Sequence, residues 1–181
     1  MSSPSPKSAP CLGFLTVVEN AELGLLGGYL LLNAAGRPLE FHCTTPVKPN
    51  RTQEILYGPT LKPYLYGEQI GQTLLIKSKL TPFVVCTDSE AVLVVRDFTD
   101  VPVVLALSAT AGLLSAVEPA IGGTPFPLAK RRVVTALHYA SDERTIRDAW
   151  PAQADHLDLL EPFTRIREAL DEAQRAARQA A

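Results

Sequence analysis

The residues richest in chemistry lie between Glu40 and Glu68. His42 falls on the polar side of an alternating segment, Arg51, Gln53 and Glu54 open a short helical stretch, and Tyr57, Tyr64 and Tyr66 gather around Gly58. An imidazole, a guanidinium, carboxylates and phenols so close in sequence can bind a polar ligand or grip another protein. We therefore expect a pocket or docking surface made of His42, Arg51, Glu54, Tyr57, Tyr64 and Glu68. Glu68 falls beside the apolar positions Leu61, Leu65 and Leu75, where an unpaired carboxylate is costly or shifts its pKa. A partner such as Arg51 or Lys62 would relieve it. The plainer alternative is a solvated hairpin and helix edge with tyrosines half-buried at its rim.

Other chemistry finds less support. The chain has no GxxxxGK[ST], no GxGxxG after a strand, no GxSxG, no HExxH and no CxxC. The phosphate-loop, dinucleotide, hydrolase-elbow and zinc-protease signatures are therefore absent. The histidines, His42, His138 and His156, lack the i,i+4 spacing of a helical metal site. A zinc set of His42, Cys43, Cys86 and His138 can be drawn only by assuming the fold, and buried cysteines more often serve as small hydrophobes. Lys130-Arg131-Arg132 and Lys77/Lys79 are compact basic clusters. They allow nucleic acid at a local patch without indicating it.

Positioning these residues falls to a mixed set of elements. Leu12–Val18, Gly28–Asn33 and Leu39–Thr44 have β propensity, and Leu39, Phe41 and Cys43 alternate with Glu40, His42 and Thr44. This predicts a three-stranded antiparallel meander. Asn50-Arg51-Thr52-Gln53 has capping-box spacing, and Gly58-Pro59 ends that helix. A second helix is expected from Thr60 to about Ser78, with Gly67 and Gly71 flattening one side for something to pack on. Thr81–Thr87 and Val103–Leu107 read as buried strands. Between them, Ser89–Phe98 reads as a short helix, which makes a βαβ unit with a parallel pair. A β-hairpin turning at Asp88–Glu90, as in profilin-like and roadblock-like domains, is the alternative. Residues 119–128 read as a Pro/Gly-rich loop and Val133–Tyr139 as one more strand. Helices follow over 141–181, the last with the apolar stripe Phe163, Ile166, Ala169, Leu170, Ala173 and Ala177. The expected class is α/β: an antiparallel β-meander, then helices and a βαβ unit, with a mixed sheet and a helical C-terminus.

Composition agrees with that class. The 181 residues are 46% hydrophobic and 20% charged, close to ordinary globular usage, with 17 basic against 19 acidic side chains and a net charge of −2. No global field announces nucleic acid or an anionic membrane. Residues 1–10, rich in Ser and Pro, read as a disordered tail, leaving one α/β domain over 11–181. Three unpaired cysteines point to a reducing, cytoplasmic setting. The longest uncharged apolar run, Val101–Val117, is too short and interrupted to span a bilayer.

The order of meander, helix beginning Asn50-Arg51, strand ending Thr87-Asp88-Ser89 and further helix resembles the ribonuclease H-like superfamily. That family has an Asn-Arg-x-Glu helix start and a Thr-Asp-Ser strand end. The resemblance covers roughly residues 12–107 and implies carboxylates converging on two Mg or Mn ions roughly 3.5–4 Å apart, which align water and leaving oxygen. Carried over by position, Asp88 matches the strand-end aspartate and would be a metal ligand. The helix carboxylate falls on Gln53, with Glu54 one residue late and about 100° around the helix. The first-strand carboxylate would be Glu19 and a late one Asp155. The plainer alternative is that Asp88-Ser89 simply caps a helix after a strand.

From the residues we expect a non-catalytic binding or interaction subunit of a cytoplasmic assembly. It would need no cofactor and would meet a protein partner or a second copy of itself at the Glu40–Glu68 region and the C-terminal amphipathic helix. One alternative is a Mg- or Mn-dependent ribonuclease H-like nuclease using Asp88 with Glu54 or Glu19. The other is a small-molecule sensor whose pocket includes His42 and Glu68.

Overall fold

The computed structural model describes residues 9–108 and 123–180. The expected tail over 1–10, save its last two residues, and the first part of the 119–128 loop lie outside that range. Among the described residues one mixed sheet of seven strands runs in the order β3-β2-β1-β4-β5-β7-β6. β1 (Cys11–Asn20), β2 (Gly24–Asn33) and β3 (Pro38–Cys43) form the expected antiparallel meander, with longer strands than the propensities suggest. β4 (Val84–Thr87) lies parallel to β1, and β5 (Val103–Ala106) parallel to β4. That parallel pairing excludes the hairpin alternative. The segment between them is helical, as expected, but wound as 3₁₀ turns over Glu90–Phe98.

The far side of the sheet departs from expectation. β6 (Phe126–Leu128) lies inside the stretch read as a loop, and pairs antiparallel with β7 (Arg131–Thr135). Phe126 and Leu128 are buried while Pro127 points out, the alternation of a strand in which a proline is tolerated because β6 is an edge. The strand expected over Val133–Tyr139 ends earlier, and Leu137–Tyr139 is a 3₁₀ turn.

Helices cover both faces. α1 (Arg51–Tyr57) starts on the predicted capping box: the Asn50 side chain accepts from the Gln53 N–H, and the Gln53 side chain accepts from the Asn50 N–H. The helix expected over 60–78 is one helical run of changing pitch. A 3₁₀ turn (Gly58–Thr60) leads into α2 (Leu61–Pro63), a π segment (Tyr64–Gly71) and α3 (Gln72–Lys77). The 3₁₀ segment Glu90–Phe98 packs on its glycine side. α4 (Asp142–Ala149) and α5 (Glu161–Ala180) follow, joined by a 3₁₀ turn at Ala152–Ala154.

The sheet separates two cores. Leu12 and Phe14 of β1, Leu30 of β2, and Val84 and Cys86 of β4 join Phe163, Ile166 and Leu170 of α5 on one face. Leu15 and Val17 of β1, Leu31 of β2 and Val85 of β4 join Leu65, Ile70 and Leu74 on the other. Alternate residues of each strand thus serve opposite layers. α5 is seated by Phe163, whose ring meets Phe14 edge-on at 5.8 Å and 72°. It comes close because β2 carries Gly28, where a Cβ would lie 2.3 Å from Ile166 Cγ2. Among the described residues no helix is long and apolar enough to cross a membrane.

Two outcomes follow from this packing. A Cβ at Gly67 would lie 2.0 Å from Val94 Cγ1, so Gly67→Ala forces the helical run away from the 3₁₀ segment. Overpacking of about 1–3 kcal/mol outweighs the roughly 1 kcal/mol of helix propensity gained. Chemical denaturation should therefore show a net loss of stability. The second concerns Arg131, whose Nε and Nη2 donate to Asp158 at 2.8 and 2.7 Å, tying β7 to the chain before α5. That guanidinium holds the Asp158 carboxyl down to about 2, against an ordinary value of 3.8. A depressed folded-state pKa gives stability that is present above the ordinary value and lost as pH falls towards about 2. Denaturation series at falling pH should show that loss in the native protein and a flatter profile in Asp158→Asn.

Candidate functional site

In open α/β sheets, ligands bind in the crevice beyond the carboxyl ends of parallel strands. Here β1 and β4 are the central parallel pair, and their register ends with Leu15 opposite Thr87. One residue further on each strand stand Thr16 and Asp88. By alternation both face the α5 layer, with Phe14 and Cys86. Thr16 Oγ1 donates to Asp88 Oδ1 at 2.6 Å, and Arg167 Nη2 donates to Asp88 Oδ2. Thr87 Oγ1 accepts from the Ser89 N–H at 3.1 Å, which turns the chain directly after the aspartate.

Thr16 is buried, the Asp88 side chain is 15% exposed, and that of Arg167 is 48% exposed. The site is thus layered from a buried hydroxyl through a sheltered carboxylate to a guanidinium at the surface. Arg167 reaches it because 163, 166, 167 and 170 follow the i, i+3, i+4, i+7 pattern of one helix face. Phe163, Ile166 and Leu170 fill the core, and Arg167 takes the remaining place beside the strand ends.

The other predicted carboxylates stand elsewhere. Glu19 is three residues beyond Thr16, an odd step, and so belongs to the opposite face. Its carboxyl accepts from Tyr66 Oη and lies 3.5 Å from Lys62 Nζ. The hydrogen bond from Tyr66, then the charge of Lys62, hold Glu19 below the usual carboxylate range. Burial, then the bond to Glu19, push the Tyr66 phenol up. Beside them opens a cleft of about 670 Å³ lined by Leu25, Val47, Pro59, Leu61 and Leu65. Glu54 is exposed on α1 and pairs with Arg51 at 3.1 Å. Asp155 is exposed and accepts from Trp150 Nε1 at 2.8 Å. Gln53, at the family's helix-carboxylate position, is spent on the capping box.

The predicted binding set comes together only in part. Tyr57 and Tyr64 stack at 4.0 Å and 18°, and Glu68 is near enough to raise the Tyr57 phenol, after the hydrogen bond to Tyr64. Arg51 and Glu54 pair with each other upstream, and Lys62 pairs with Glu19, so neither cation serves Glu68. His42 belongs to a different network. Its Nε2 lies 2.8 Å from Glu40 Oε2, which also accepts from Ser78 Oγ and the Lys79 N–H at 3.1 Å. Neither His42 nor Glu68 lines this cleft. The zinc set is dispersed too. Cys86 is in the core, its thiol pushed up to about 12 by burial, whereas Cys43 and His138 are exposed.

The metal ions implied by the ribonuclease H-like resemblance do not fit this donor set. Beside Asp88 stand a hydroxyl and a guanidinium, and both carboxylate oxygens are engaged. Each unit of charge on a cation about 4 Å from Arg167 would meet repulsion of about 4 kcal/mol at an effective dielectric constant of 20. Among the described residues no three His, Cys, Asp or Glu side chains gather where they could hold a metal ion. Thr16 and Arg167 escaped the sequence reading, although both left a signal. Thr16 is the polar residue in step with Phe14 on a buried strand, and Arg167 interrupts the core-facing positions of α5.

No family model and no curated protein matches the chain. Among solved structures it is similar to the catalytic domain of human endonuclease V, at 14% identity over 96% of this chain and 85% of that one, with a TM-score of 0.47. It is also similar to Ciona intestinalis endonuclease V in complex with a 24mer DNA containing an inosine followed by a ribo-adenosine. There the identity is 11%, over 93% of this chain and 89% of that one, with a TM-score of 0.47. Both neighbours are endonucleases by name, the class of the nuclease alternative and not of the expected non-catalytic interaction subunit, and that expectation is set aside.

Energetically the three side chains should be unequal. Removing the Thr16 hydroxyl leaves a sheltered Asp88 oxygen without its donor, so Thr16→Val should cost about 1–3 kcal/mol. The guanidinium side of the Asp88–Arg167 pair is half open to water, which screens it, and a double-mutant cycle with Asp88→Asn and Arg167→Gln should give a coupling of only about 0.5–1 kcal/mol. Urea denaturation of the variants measures both.

Proposed function

We propose that this protein acts on nucleic acid, taking a phosphodiester backbone at the carboxyl edge of β1 and β4. The position of Asp88 carries the proposal: it stands at the end of β4 beside the neighbouring strand end of β1, in the place that the ribonuclease H-like resemblance gives to the strand-end aspartate. The order of meander, helix, parallel strand, helix and strand supports it. So does the guanidinium of Arg167 at the surface of that edge, since arginine's planar fork suits phosphate oxygens. Hydrolysis of the backbone is the reaction class the resemblance implies. With the described donors no step through a metal ion follows, and the chain's own residues can bind and orient the backbone. With a net charge of −2, attraction must be local, and few counterions are released.

The test is fluorescence anisotropy with labelled single- and double-stranded DNA and RNA at low salt, each sample then resolved for cleavage products with and without Mn²⁺. Saturable binding that weakens as salt rises is expected, with products scored as the nuclease arm. Failure to bind or cleave any of the four forms at low salt would end the proposal.

A further inference from the structure

We infer that Arg167 is a built-in cation in this site and the group that grips phosphate, so that nucleic acid binds here independently of divalent metal. The inference rests on the nucleic-acid reading of this edge and adds how the backbone is held. It starts from the disagreement between the implied two-metal centre and the side chains present.

Three observations converge. The residue of β1 that faces Asp88 is Thr16, whose hydroxyl donates at 2.6 Å to a carboxylate oxygen a metal ion would otherwise take. Arg167 holds the second oxygen through Nη2, so a positive charge already stands on the carboxylate. The remaining candidate acids are committed to Tyr66 and Lys62 (Glu19), Arg51 (Glu54) and Trp150 (Asp155).

What remains is a half-exposed guanidinium with donors to spare. It has five N–H groups, and among the described residues its side-chain partner is Asp88, through Nη2. The Thr16–Asp88–Arg167 chain therefore works outward. The buried hydroxyl fixes the carboxylate, the carboxylate fixes the guanidinium, and the free edge of the guanidinium is presented to solvent. Holding a long side chain in place before binding removes part of the ordering cost that a free arginine would meet. Asp88 is a positioning residue here, and its charge is balanced by the same guanidinium that meets the phosphate.

Binding of a labelled single-stranded 20-mer by the full chain, measured in EDTA and in Mn²⁺ over a salt series, tests this together with Mn²⁺ calorimetry. Wild-type affinity should be equal in both buffers, with no saturable Mn²⁺ binding. Arg167→Ala should weaken binding roughly tenfold for every sequence and lower the salt slope by about 1. Arg167→Lys, which keeps a point charge and loses the fork, should fall between. Arg175→Ala, further along α5, should stay within about twofold. Thermal melts identify any variant that is unfolded, and Arg167→Lys then carries the comparison. If the wild type binds nucleic acid but requires Mn²⁺, or if folded Arg167 variants bind as the wild type does, the arginine proposal falls while the nucleic-acid reading stands. If the wild type binds no nucleic acid, both fall.

Discussion

A strand paired on both sides must hand successive side chains to different layers, and in this protein that constraint centres on β1. Its even positions belong to α5 and its odd positions to the helical run on the other face. A shift of one residue would exchange Phe14 with Leu15 and carry Thr16 away from Asp88. Both cores and the candidate site therefore share one register. The parallel pairing with β4 sets it, and the long antiparallel pairing with β2, from Cys11 to Asn20, reinforces it.

That register also decides the electrostatics of the site. A carboxylate at position 16 would face Asp88 at close range and need a cation to neutralise the pair. A threonine needs none, because its hydroxyl is itself a donor. Arg167 then supplies one positive charge where a cluster of acids would call for more. Neutralisation is built from covalently attached groups. On the opposite face Glu19 has an analogous arrangement, with a phenol and an ammonium rather than a hydroxyl and a guanidinium.

Much of the architecture was legible because its signals are local. The Asn50–Gln53 box and the Gly67/Gly71 spacing each act within a few residues, and each matches an element observed. The alternation of Leu39, Phe41 and Cys43 marked the strand but not its faces: these three are exposed, and Glu40 and His42 are the half-buried ones. Pitch was not legible: the run 58–77 moves through 3₁₀, α and π geometry under tertiary packing, which left Glu68 half-buried without either partner expected for it. β6 was hidden because Pro and Gly dominate its surroundings, while the burial of Phe126 and Leu128 comes from distant chain. The site suffered most. Counting along β1 from the wrong carboxylate put Glu19 with Asp88, although three steps along a strand reverse the face. Arg167 lies 79 residues from Asp88, a pairing that no window of periodicity covers. The bidentate Arg96–Asp142 pair, 46 residues apart, was invisible for the same reason.

Among the described residues the sheet ends on β3 at one side and β6 at the other, and each of these short strands contains a proline, Pro38 and Pro127. A proline has no amide hydrogen to offer, so each border presents an interrupted row of donors to any strand arriving from outside. The register shift between Leu31 and Leu32 breaks the regularity again next to β3. A sheet whose middle strands are almost wholly apolar is a template for runaway strand addition when its borders are regular. Here those borders are poor templates, so the chain can keep a very hydrophobic centre without inviting fibrils to grow from its rims.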